Sequence, residues 1–97
     1  METSIDVFNK ISLRIIKEQE AIIGPLAWTE AAKVPGLQIL DQVAGNITIV
    51  GDPKTIINNL VARYEQLFGK LSRNVCHEAV VDLIAEIPPE DVPSSIK

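Results

Sequence analysis

Five interruptions set the scale of everything this chain can build. Gly24-Pro25, Val34-Pro35-Gly36, Gly51-Asp52-Pro53, Gly69 and Pro88-Pro89 divide the 97 residues into short stretches. Each interruption ends a helix or reverses the chain, because proline breaks the hydrogen-bond ladder and glycine tolerates backbone angles that other residues avoid. A chain so divided packs several short elements around one core, and its length leaves no room for a second. Hydrophobic residues at 46% and charged residues at 23% fit a soluble globular domain and exclude a disordered or fibrous one.

Residues 4–23 read as one long amphipathic helix. Phe8, Ile11, Ile15 and Ile22 fall on one stripe with Ile5, Ile16 and Ile23 beside it, while Asp6, Lys10, Arg14, Lys17 and Glu18 provide the polar contrast. Ser4 is placed to cap this helix. A heptad seam through Ile5, Phe8, Ser12, Ile15, Gln19 and Ile22 has two polar positions, which weaken it as an isolated coiled coil. Residues 25–33 then suit a short helix with proline at its first position and Ala27, Ala31 and Ala32 within it. Alternation over residues 37–43 and the β-branched run 47–50, joined through Ala44-Gly45-Asn46, predict an antiparallel hairpin.

The strongest local signal is Gly51-Asp52-Pro53, which supplies a turn, an N-cap and a proline at the first helical position. The helix it starts carries Ile56, Ile57, Leu60, Val61, Tyr64, Leu67 and Phe68 on one face and closes at Gly69. A fourth helix, with Ser72 as its expected cap, carries Val75, Cys76, Ala79, Val80, Leu83, Ile84 and Ile87. Two such stripes about one glycine predict an antiparallel helical hairpin. The expected architecture is α+β in the order ααββαα, with residues 1–87 as the domain. Residues 88–97 hold three prolines, Glu90, Asp91 and two serines, and are expected to form a flexible tail that buries little.

A net charge of −4, spread over both halves without a Lys/Arg cluster, argues against nucleic acid as a partner. One cysteine allows no intrachain disulfide, and with no signal-peptide pattern or long apolar run the expectation is a cytoplasmic protein free of membranes. Cys76 and His77 are adjacent on a helix, so their side chains point about 100° apart and make a poor nucleophile-base pair. His77, Glu78, Asp82 and Glu86 present one imidazole among carboxylates, too few nitrogen or sulfur ligands for a transition metal. Gly51-Asp52-Pro53-Lys54-Thr55 superficially resembles a phosphate loop, but it has one glycine, Pro53 lacks an N–H, and the Asp52 carboxylate would repel the anion.

The expected function is therefore a small non-enzymatic adaptor or regulatory module without cofactor or metal, acting on an unidentified protein and forming a homodimer. Ile16, Ile23 and Trp28 on the first two helices, or Ile47 and Ile49 at the hairpin edge, are the residues expected at its contacts. Two other classes compete with this one. A small-molecule sensor would hold an apolar pocket between hairpin and helices near Trp28, Tyr64 and Cys76, and an enzyme would use His77, Glu78 and Asp82.

Overall fold

Asp52 stands with extended backbone ahead of α3 (Pro53–Phe68), and its Oδ2 accepts from the Thr55 N–H at 3.2 Å and the Thr55 hydroxyl at 2.5 Å. These bonds satisfy a donor that the first helical turn leaves without a partner, and Pro53 removes another. The computed structural model describes residues 5–96. Around α3 it arranges α1 (Ile5–Ile23), α2 (Leu26–Ala31), β1 (Leu37–Asp41), β2 (Asn46–Ile49), α4 (Lys70–Ile84) and two 3-10 turns, Pro89–Asp91 and Ser94–Ile96. The fold is α+β in the order ααββαα, with β1 and β2 antiparallel. Ser4, the Ile5 side chain and Lys97 lie outside the described residues.

Helix α1 packs most extensively on α4, which runs antiparallel to it, and α3 closes the other side of α4. Phe8, Ile11, Ile15 and Ile16 are buried, as are the polar Ser12 and Gln19. The Gln19 amide is satisfied there, donating to the Ser72 carbonyl at 3.1 Å and to the Cys76 sulfur at 3.5 Å. Ile22, read as part of the buried stripe, is instead 62% exposed. The cause is the length of α4: Gln19 already faces the first turns of α4, so one turn further along α1 there is little left to cover Ile22. Leu67 and Phe68 are likewise exposed, because the α3 stripe outruns the core after Tyr64.

Gly69 joins α3 to α4 by itself, donating its N–H to the Glu65 carbonyl with φ +88° and ψ −177°. That extended, positive-φ conformation is open to glycine and differs from the left-handed cap expected there. Ser72 does not cap α4. It sits buried inside the helix, whose side-chain cap is absent. Ile87 stays buried but lies beyond the helix end.

The hairpin pairs Leu37 with Ile49, Gln38 with Thr48 and Ile39 with Ile47, with an irregularity between Ile39 and Asp41 that bulges Leu40. Its loop spans residues 42–45 rather than Ala44-Gly45-Asn46, because the Asp41 carboxylate accepts from the N–H groups of Val43 and Ala44 and ends β1 early. Gly36, with φ +87°, lets the chain enter β1 where a Cβ would lie 2.7 Å from the Val50 carbonyl oxygen. Strand β2 packs on α1, and Asn9 Oδ1 accepts from the Ile49 N–H at 3.1 Å.

Residues 88–96 correct the expectation of a tail that buries little. Val92, Pro93 and Ile96 are buried, Ser95 donates its N–H and hydroxyl to Asn58 Oδ1, and Lys54 Nζ reaches the Glu90 carbonyl at 2.9 Å. Prolines forbid a long α-helix here but neither short 3-10 turns nor burial, and this segment forms a strap that closes the α3–α4 pair from outside the helical hairpin.

Candidate functional site

Cys76, His77, Asp82 and Asp52 each have a local partner or burial that explains them. Cys76 is fully buried, and burial pushes its thiol up to about 11, so it stays protonated and non-nucleophilic at neutral pH. His77 points about 100° away from Cys76 around α4, with Nδ1 2.7 Å from the Ile96 carbonyl. A carbonyl only accepts, so Nδ1 carries the proton in that bond. Asp82 takes Arg14 at 3.2 Å, while Glu78 and Glu86 are exposed. His77 thus faces the Ile96 carbonyl while Glu78 and Asp82 lie on the side of α4 that meets α1, so the three do not converge on one point. Among the described residues no three His, Cys, Asp or Glu side chains come together to hold a metal ion. Asp52 is occupied as the α3 cap, and Thr55 holds its carboxyl below the usual range by side-chain and backbone hydrogen bonds.

The residues expected at contacts are spent elsewhere. Ile16, Trp28, Ile47 and Ile49 are buried in the core of the single chain, and Ile23 is half-buried against it. Trp28 is fixed from both directions, packed by its ring and donating Nε1–H to Glu20 at 2.7 Å. Ile16 faces inward, and α1 packs along β2, where Asn9 Oδ1 takes the Ile49 N–H. Trp28, Tyr64 and Cys76 are close-packed core residues, with the Tyr64 hydroxyl donating to the Ala27 carbonyl at 2.6 Å, and they line none of the clefts described next.

Among the described residues, two of the surface clefts are of about 500 Å³ and can receive a group from outside. One, of about 530 Å³, lies between the end of α4 and the strap and is lined by Val81, Ile84, Ala85, Ile87, Pro89 and Val92. It has no polar side chain to orient a ligand. The other, of about 500 Å³, is the groove between α1 and α4. Arg14, Glu18 and Ile22 form its α1 wall, and Leu71, Val75, Glu78, Ala79 and Asp82 its α4 wall together with Asn74. Leu71 is 76% exposed and Ile22 stands on the same groove, so two large aliphatic side chains meet solvent beside two carboxylates. A smaller cleft includes Lys33 and Arg63, but both cations are taken by Glu30, at 3.1 and 2.8 Å. The hydrogen bond from Lys33, aided by Arg63, holds the Glu30 carboxyl below its usual range.

Leu71 was missed in the sequence because the stripe through Cys76, Val80 and Leu83 claims α4 first. A second apolar row, Leu71, Val75 and Ala79 at intervals of four, is the signal that marks the groove. No helix among the described residues is long and apolar enough to cross a membrane. No family model, curated protein or solved structure matches the chain.

Proposed function

We propose that this chain is a protein-interaction module whose docking surface is the α1–α4 groove, and that it works by binding rather than by catalysis. The observation carrying this reading is the placement of Ile22 and Leu71 together in one groove with Glu18 and Glu78. An aliphatic centre within a polar rim is what a helix or loop of another protein fills on binding. The test is affinity capture from a native lysate with wild type and with Leu71→Glu, a change at an exposed position that leaves the core alone. A partner retained by wild type and lost by Leu71→Glu is the expected result; capture of the same proteins by both, or of none by either, overturns the reading.

Self-association belongs to this proposal through a different contact from the one the sequence suggested. With β2 covered, the outer edge of β1 is the strand edge left to a second copy, near the exposed Leu40 and Val43. The bulge at Leu40 works against long edge pairing, so the expected dimer is weak. A strictly monomeric chain by light scattering at roughly tens of micromolar removes it.

A further inference from the structure

We infer that the α1–α4 groove takes an amphipathic helix whose aliphatic stripe seats on Ile22, Leu71 and Val75 and whose Lys or Arg side chains pair with Glu18 and Glu78. This rests on the docking reading above and adds the chemistry of the occupant. Arg14, Glu18 and Ile22 recur every four residues on α1, and Leu71, Val75 and Ala79 do so on α4, so each wall runs about 12 Å along its helix axis. Two antiparallel helices with i, i+4 ridges offer a trough into which the ridge of a third helix packs.

Charge selects among the possible occupants. Arg14 is the single cation lining the groove, and it is already committed, donating to both Asp82 carboxylate oxygens and to the Ala79 carbonyl. The Glu18 and Glu78 carboxylates are exposed and make no side-chain hydrogen bond or ion pair among the described residues. The groove therefore presents two uncompensated carboxylates next to aliphatic side chains, on a chain of net charge −4. A second copy would bring the same two carboxylates against them, and a nucleic acid or an anionic membrane would be repelled in the same way. A basic amphipathic helix satisfies both the apolar centre and the rim.

The test uses the full chain and two synthetic helical peptides, one with a Leu stripe flanked by Lys and one with Glu in place of every Lys. Amide shift changes map the site, and fluorescence anisotropy measures affinity. The Lys peptide is expected to perturb α1 and α4 around Glu18, Ile22, Leu71 and Val75 and to bind at least roughly tenfold tighter than the Glu peptide at low salt. The E18K/E78K variant, altered at two exposed positions, is expected to reverse that preference while keeping its helical circular dichroism. If it unfolds, E18Q/E78Q replaces it and is expected to erase the preference. Equal binding of both peptides in the groove overturns the charge inference and leaves the docking surface standing. No perturbation of the groove by either peptide overturns both.

Discussion

Helices α3 and α4 lie side by side with 16 and 15 residues, yet different causes hold them in place. Helix α3 starts on its own chemistry, Asp52 and Pro53, and spends Ile56, Ile57, Leu60, Val61 and Tyr64 on the core. Helix α4 has no side-chain cap, and its buried set is Ser72, Cys76, Val80 and Leu83. Its position comes from neighbours: Gln19 and Arg14 reach it from α1, and the strap returns through the His77 bond to Ile96 and the Arg73 bond to Ser95. A helix that does not use all its apolar surface internally has some left for binding, and Leu71 and Val75 are that remainder. The lesson is that the element least determined by its own sequence is the one carrying the candidate surface.

Removing the strap should loosen α4 more than α3. Deleting residues 88–97 takes Val92, Pro93 and Ile96 out of the core, and is expected to cost about 5 kcal/mol at roughly 1.5 to 3 kcal/mol per large buried side chain. Amide exchange should then accelerate in α4 before α3. A truncated chain with the wild-type urea midpoint would mean that α4 stands without the strap.

Truncation inside the helices sharpens the contrast. Leu60→Ala, at a fully buried site on α3, is expected to lose about 3 to 5 kcal/mol, and Leu83→Ala, near the end of α4, about 2 to 3. Chemical denaturation of both variants gives the order directly. A larger loss at Leu83 would make α4 the better-packed partner and invert the comparison.

At the helix starts the effects are smaller. Asp52→Ala is expected to cost ~1 kcal/mol through the lost cap, whereas Lys70→Ala at the uncapped start of α4 should change stability by less than about 0.5 kcal/mol. Thermal melts of the two variants that coincide would show that Asp52 caps nothing of consequence.

Acid provides the finest probe, because the Glu30–Arg63 ion pair joins α2 to α3 and leaves α4 out, while Lys33 pairs with Glu30 locally. The carboxyl titrates below its ordinary 4.5 in the folded chain. Its contribution is present above that value and is lost as pH falls through the lower folded one. Wild type should therefore lose more stability than Glu30→Gln between neutral pH and pH values below 4.5, by urea midpoint. Parallel pH profiles for the two proteins would remove the ion pairs from the account.

Local chemistry was legible in the residues themselves. Gly and Pro positions, the helical and alternating periods and the Asp52-Pro53 pair determined the α+β order, the element boundaries to within a few residues and the α3 cap, because backbone angles and first-turn hydrogen bonds depend on immediate neighbours. Burial was not legible to the same degree. Periodicity identifies an apolar face without saying where the covering element stops, so the α4 start at Lys70 leaves Ile22 in solvent while Gln19, a polar residue, is buried because Ser72 and Cys76 receive it. The strap likewise looked polar and unstructured by composition, and only the packing of α3 and α4 gave the Ser94–Ile96 turn a surface to close and Val92 a place at the end of α4. The groove exists for the same reason. Sequence determined which side chains could be buried, and the relative ends of α1 and α4 decided which ones were left for a partner, since covering a surface requires a second surface that no single segment specifies.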